Sequence, residues 1–301
     1  MKLFYYRGGR PNFGDELNPW LLPRVFPGLF DENESEVMLG IGSILYDFHP
    51  PGPRKIVFGA GFGGYTRPPK LDASWNVYCV RGPLTAKALF LPAELVAGDA
   101  ALLIREHYTP HPVKRFDVSF MPHFHSLDRG QWEKVCKLAD IRIIDPRLPV
   151  DDVLQMIAES KMLISEAMHG AIVADALRVP WIAMRPHDQA HHMKWHDWAG
   201  ALNFQVRFQG VSASTLKEWR LARRTLGRFA NRFFGLLPRG VGEAVDSHFT
   251  EHAAESLLRV AKEEPQLSKD SALQLGVERL CVAASSIASD YSRRANHHCS
   301  P

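Results

Sequence analysis

Short apolar runs without polar alternation recur through the first two hundred residues, and most end at glycine or just before a turn. Residues 2–6, 36–40, 55–59 and 75–80 form a first series. Runs of this kind suit strands buried on both faces of a parallel sheet. Residues 83–90 read as a helix with proline in its first turn, and 95–97 lead into Gly98-Asp99. A second series follows a proline-rich stretch at 108–113. It has strands at 117–121, 141–144, 162–165 and 181–184, and helices at 129–139, 150–159 and 167–177. Strand–helix alternation of this kind implies right-handed parallel βαβ units. The expected fold class is α/β, with two Rossmann-like domains over 1–108 and 109–212 and a cleft between them. From Ser212 the pattern turns helical. Trp219, Ala222, Leu226, Phe229, Phe233 and Leu236 form one apolar stripe flanked by arginines, the mark of an amphipathic helix. Further helices at 243–262 and 271–289 complete an expected all-helical extension over 213–301.

Composition narrows the class. Of 301 residues, 46% are hydrophobic and 23% charged, which excludes wholesale disorder. No apolar run approaches the roughly 18–20 residues that cross a bilayer, and the first residues lack the apolar stretch of a signal peptide. A soluble cytoplasmic protein is expected. Cys79, Cys136, Cys281 and Cys299 form no CxxC pair, which argues against a disulfide framework or zinc ribbon. The net charge is +3, yet seven basic residues lie between Ala213 and Arg239 against Glu218 alone. A nucleic-acid binder spreads its charge over a face of the fold, so nucleic acid is not an expected partner. The basic helix suits either a membrane surface or packing on the second domain.

Chemistry-bearing residues cluster at strand ends. Asn12-Phe13-Gly14-Asp15 follows the first strand, where ligands of parallel sheets bind; Asp15 also suits a helix cap. Gly40-Ile41-Gly42-Ser43 closes the second strand. Gly59-Ala60-Gly61-Phe62-Gly63-Gly64 closes the third and matches GxGxxG literally. A dinucleotide site needs a helix directly afterwards, whereas Tyr65-Thr66-Arg67-Pro68-Pro69 follows and the next strand ends in Arg81 rather than an acid. Nicotinamide binding is therefore not expected, and these glycines read as tight turns or as room for a ligand. Arg81 stands at a strand end beside a helix N-terminus, a setting for an anion or for a salt bridge. Asp99 closes the next strand. In Ser165-Glu166-Ala167-Met168-His169-Gly170-Ala171 a strand delivers His169 to the first turn of a helix, whose free N–H groups attract anions. Imidazole titrates near neutral pH, so it can also exchange a proton there. His187, His191, His192 and His196 have zinc-like spacing, but no acid or cysteine completes the set, and no metal is expected. Lys194, in the same stretch, is a candidate cation for the cleft.

Taken in order, Asn12–Asp15, Gly40–Ser43, Gly59–Gly61, Val80-Arg81-Gly82, Gly98-Asp99 and Ser165–Gly170 with Val179-Pro180 resemble the polysaccharide pyruvyl transferase family over roughly residues 2–210. The Glu166–Ile172 stretch and Lys194-Trp195 are most similar to its succinoglycan-type members. The resemblance implies a two-domain fold like that of GT-B glycosyltransferases. It implies transfer of a pyruvyl unit from phosphoenolpyruvate to two hydroxyls of one sugar, forming a ketal and phosphate without a cofactor. Under it, His169 is the general acid/base, and Asp15, Asp99 and Glu166 are candidates to orient or deprotonate the acceptor. Arg81, Ser165, Met168, Gly170, Lys194 and Arg185 fall to the donor; Asn12, Gly14, Gly42, Ser43, Gly59 and Gly61 line the cleft on the acceptor side. Family members often carry arginine where this chain has Ala167, and Arg81, Lys194 or Arg185 is expected to substitute for it. The implied acceptor is a lipid-linked oligosaccharide at the inner membrane face, with the basic helix as a candidate peripheral contact. A glycosyltransferase using a nucleotide sugar and a non-catalytic polysaccharide-assembly partner are the rival readings.

Overall fold

The computed structural model describes residues 1–111, 113–185, 192–222 and 239–298. The chain divides into two compact units whose segments interleave. Unit 1 comprises Met1–Thr109, Ala190–Val206 and Ser268–Pro301; unit 2 comprises Pro110–Gln189 and Arg207–Leu267. The expected extension over 213–301 is therefore not a body of its own, because its helices divide between the two units. Among the described residues, no helix is long and apolar enough to cross a membrane.

Unit 1 holds a four-stranded parallel sheet in chain order: β1 (Lys2–Phe4), β2 (Glu36–Leu39), β3 (Arg54–Phe58) and β4 (Trp75–Cys79). Its apolar interior runs through Leu39, Ile44, Val57, Val80 and Ala86. α1 (Phe13–Val25) follows β1 and contains Pro19, which cannot donate to the carbonyl of Asp15 four residues back. Asn18 fills that gap, its side-chain amide donating to the Asp15 carbonyl at 3.1 Å. The same buried amide exchanges hydrogen bonds of 2.8 and 2.9 Å with the backbone of Ile41, which fastens the loop after β2 to α1.

The first turn of α2 (Pro83–Ala88) begins after Gly82, which has no side chain to cap it. Asp197, on α8 (His192–Ala201), supplies the cap from 112 residues away: Oδ1 accepts the Thr85 N–H at 2.9 Å. Oδ2 accepts the Thr85 hydroxyl at 2.6 Å and Nε–H of Arg81 at 2.9 Å. Arg81 also donates to Ser43 Oγ and to the Phe62 carbonyl, each at 2.9 Å. Arg81, Thr85 and Asp197 are all 0% exposed. Two glycines make room for the pair, since a Cβ on Gly61 would overlap the guanidinium and one on Gly82 would overlap the Asp197 backbone. This network explains why Ala190–Val206 folds with the first hundred residues.

Unit 2 is a five-stranded parallel sheet in the order β6-β5-β7-β8-β9. Its strands are β5 (Phe116–Met121), β6 (Arg142–Ile143), β7 (Ser160–Ser165), β8 (Trp181–Met184) and β9 (Phe208–Gln209). Between them come α4 (Phe124–Arg129), α5 (Trp132–Ala139), α6 (Val150–Ala158) and α7 (Met168–Ala176), with the short α3 (Ile104–His107) preceding in unit 1. α9 (Leu216–Ala222) and α10 (Arg239–Val260) complete unit 2, and α11 (Asp270–His298) belongs to unit 1. Phe120, Trp132, Ile164, Ile182 and Leu257 share one core. Glu218, the one acid of the basic segment, is buried and accepts from Trp132 Nε1 at 2.7 Å and from the Ser214 N–H at 2.9 Å. The first turns of the basic helix thus pack within unit 2. Its remainder, with Arg223, Arg224, Arg228 and Arg232, lies outside the described residues, as do His187, His191 and Cys299.

Asp197→Ala would leave the Arg81 guanidinium buried without its counter-charge and the start of α2 uncapped. The expected cost is about 3–5 kcal/mol, measured as a fall in the urea midpoint. Replacing both partners with apolar residues (R81M with D197L) is expected to recover part of that loss.

Candidate active site

Two groups of the expected site residues emerge, one in each unit. In unit 1 the carboxyl ends of β1 to β4 bring the glycine motifs together. Asn12 Nδ2 donates to Asp15 Oδ2 at 2.7 Å, and the Gly61 N–H donates to the Gly42 carbonyl at 2.9 Å. Ser43 takes its hydrogen bond from Arg81. Gly14 is buried in the first turn of α1. Gly59 adopts φ +75 with its Cα against Ala100, leaving no space for a side chain. Asp15 is half-buried, and Asp99 is fully buried and caps the short 3₁₀ turn Ala100–Leu103 through the Ala101 N–H at 3.0 Å.

Several of these placements correct the sequence expectation. Arg81 does not present an open cation: its guanidinium is 0% exposed and engaged by Asp197, Ser43 and Phe62. Gly59 and Gly61 accommodate the protein's own Ala100 and Arg81. Lys194 lies on α8 in unit 1, not in the unit that holds His169.

Unit 2 holds the second group. Its strand order, 2-1-3-4-5 in local numbering, reverses between β5 and β7, and ligands of such sheets bind outside the carboxyl ends at that reversal. β5 ends there in Met121-Pro122-His123-Phe124-His125, and β7 in Ser165-Glu166-Ala167-Met168-His169. Glu166 joins the two ends. Its backbone N–H donates to the Met121 carbonyl at 2.9 Å. Oε2 accepts the His123 N–H at 2.8 Å, and Oε1 accepts the Ser126 hydroxyl at 3.0 Å. At 3% exposure, this carboxylate holds the backbone of His123, the N-cap residue of α4, in place of the acceptor contact expected of it. His123 Nδ1 in turn accepts the His125 N–H at 3.3 Å, so in its neutral form the ring carries its proton on Nε2. The two rings are 5.1 Å apart.

α7 starts directly at this edge. Ser165 donates its hydroxyl to the Ala167 carbonyl at 2.7 Å, and Met168 is buried. Gly170 packs so tightly on Met121 and Ser165 that a Cβ would lie 2.5 Å from Met121 Sδ. These three residues therefore position α7 by packing and local bonding. Ala167, the N-cap, has an extended backbone and offers no side-chain cap. The first N–H groups of an α-helix find no partner within the helix itself, and at the start of α7 they belong to Met168 and His169. His169 is half-buried in this first turn, and Arg185, exposed, stands at the end of β8 with its backbone held by Gln209 at 2.8 Å.

His123 and His125 escaped the sequence reading. The available signal was a histidine pair directly after a strand, and it gains meaning only once the strand order places the sheet reversal beside it. Asn18 and Asp197 also escaped, because a buried structural amide or carboxylate has no motif of its own.

The fold class is thus a pair of parallel α/β units, one of them doubly wound with an imidazole-rich reversal edge. Residues 23–188 match the family described as polysaccharide pyruvyl transferase, a span running from α1 past the end of β8. The chain belongs to that family, which makes it a transferase. It is similar to the succinoglycan biosynthesis protein ExoV of Rhizobium meliloti (strain 1021), with 33% identity over 315 residues covering 97% of this chain and 100% of that protein.

Glu166→Ala would leave the His123 N–H and the Ser126 hydroxyl without their carboxylate acceptor. A loss of about 1–3 kcal/mol is expected, read from chemical denaturation. Hydrogen exchange should speed up first at the amides of 123–127.

Proposed function

We propose that the chain transfers a pyruvyl unit from phosphoenolpyruvate to two hydroxyls of one sugar in an exopolysaccharide repeat unit. Family membership supports the pyruvyl transfer, and the name of the R. meliloti relative supports the polysaccharide setting. One observation carries the choice of site: His169 lies in the uncapped first turn of α7, at the reversal of the unit 2 sheet. Phosphoenolpyruvate carries a phosphate and a carboxylate, so it needs helix-end N–H groups and cations. In this reading the N–H groups of Met168 and His169 hold the phosphate. Arg185 takes the place of the arginine that the family often carries at position 167.

The chemistry starts with a proton delivered to C3, which turns the methylene into a methyl group and leaves an oxocarbenium-like C2. The first sugar hydroxyl bonds to C2 and the C2–O bond to phosphate breaks. The neighbouring hydroxyl then closes the ketal. The two hydroxyl protons balance the proton gained at C3 and the one leaving with phosphate. His169 serves as the acid and base of these transfers, with His123 as a second imidazole on the adjoining strand end. Asp99 and Glu166 have no part in these transfers, since Asp99 caps the turn at Ala100–Leu103 and Glu166 holds the His123 N–H and the Ser126 hydroxyl. The acceptor in this reading is a lipid-linked oligosaccharide.

The test is incubation with labelled phosphoenolpyruvate and a lipid-linked oligosaccharide extract, followed by mass spectrometry and a phosphate assay. The expected product is a pyruvylated oligosaccharide formed in step with phosphate. In His169→Gln, turnover should fall about 10²–10⁴-fold while the melting temperature holds. Turnover near that of the parent would remove His169 from the chemistry. Arg185→Ala should raise the KM for phosphoenolpyruvate about tenfold, roughly one charge-assisted hydrogen bond. An unchanged KM would place Arg185 outside the donor site.

A further inference from the structure

The loops that follow β2 and β3 in unit 1 line an open cavity of about 290 Å³ that shares no residue with the groups above. Its floor is Lys55, whose side chain is 2% exposed although it belongs to a strongly hydrated cation. The ammonium donates to Ser74 Oγ at 3.1 Å and lies 5.6 Å from the centre of the Trp75 ring. Among the described residues it has no ion pair. Its neighbour Arg54 points to the other face of the strand and is paired with Glu36 at 3.5 Å. A buried charge is ordinarily matched by an opposite charge in contact with it. For Lys55 the nearby carboxylate, Asp72, stands one residue removed, because its Oδ1 is taken up by the Ser74 hydroxyl at 2.5 Å.

The walls show what kind of molecule would complete the site. Arg67 and Lys70 add two exposed cations, against the exposed carboxylates of Asp47 and Asp72. Tyr46 forms a rigid aromatic wall, stacked on Phe48 at 3.7 Å and on His49 at 4.4 Å. His49 Nε2 lies 2.6 Å from the Ile44 carbonyl, so the neutral ring donates there and presents Nδ1 as an acceptor. Burial, aided by the charge of Lys55, holds this imidazole below its ordinary titration range and so keeps it neutral. With three cations against two carboxylates, the cavity is short by one negative charge. Its volume lies at the foot of the range for small-molecule sites, enough for one sugar ring and too small for a nucleotide sugar.

We propose that this cavity binds a monosaccharide unit carrying one anionic group, with the anion against Lys55, Arg67 and Lys70 and ring hydroxyls against Asp47, Asp72 and His49. A carboxylate or a phosphate satisfies the same cations, and the choice of probes separates the two. Isothermal titration calorimetry on the full chain would use glucuronate, glucose 6-phosphate, glucose and inorganic phosphate in turn. At least one charged sugar is expected to bind about tenfold more tightly than both glucose and inorganic phosphate. Lys55→Met should weaken that binding about tenfold. The rim variant with Arg67→Ala and Lys70→Ala should also weaken it, with an unchanged melting temperature because both side chains are exposed. Charged sugars that bind no more tightly than glucose or phosphate would overturn the proposal. So would parental affinity in a folded Lys55→Met; if that variant does not fold, parental affinity in the rim variant decides against it.

Discussion

The buried pair of Arg81 and Asp197 is the contact on which unit 1 depends. A guanidinium taken out of water is costly unless each of its edges finds an acceptor. Here one edge meets a carboxylate, another the Ser43 hydroxyl and a third the Phe62 carbonyl. The pair closes the ends of β2, β3 and β4 around a single side chain. It also ties α8 to a sheet whose last strand ended more than a hundred residues earlier. The path of the chain, out to unit 2 and back through Ala190–Val206, follows from this requirement for a counter-charge.

Unit 2 is organised by a different constraint. Its sheet runs outward in both directions from β5, so two adjacent strand ends diverge and leave a crevice edge. Glu166, directly after β7, holds those ends in fixed relation through its backbone bond to Met121 and its carboxylate bonds to the His123 N–H and the Ser126 hydroxyl. Gly170 lets α7 settle onto Met121 and Ser165. The outcome is a helix start whose N-cap is an alanine without a side-chain cap, with His169 in its first turn. An arginine at position 167 would bring its own cation to that spot. With alanine there, the proposed function assigns that cation to Arg185, exposed at the neighbouring strand end.

Strands were the most legible part of the sequence, because burial on both faces of a parallel sheet demands continuous apolar runs, and eight of the nine strands among the described residues lie at or near them. β9, two residues long, has no such run. The glycine motifs were legible as places of close approach, but not as to what approaches. Gly61 would read the same beside a bound phosphate as beside Arg81. Only the fold shows that the occupant is the protein's own guanidinium. The partner of Arg81 was hidden for a related reason: Asp197 sits 116 residues away within Lys194-Trp195-His196-Asp197-Trp198, where nothing local marks it as a counter-ion. The helices expected over 243–262 and 271–289 are present as α10 and α11, whereas most of the apolar stripe from Trp219 to Leu236 lies outside the described residues. Periodicity does not say which core a helix joins, however, and α10 and α11 join different ones. His123 was invisible until strand order identified the end of β5 as half of the reversal.

A crystal of the full chain soaked with phosphoenolpyruvate, the proposed donor, tests its place of binding most directly. Density for the phosphate is predicted at the start of α7, within hydrogen-bond distance of the Met168 and His169 N–H groups and in reach of Arg185. Ordered donor density on the glycine loops of unit 1, with the start of α7 bare, would contradict the account.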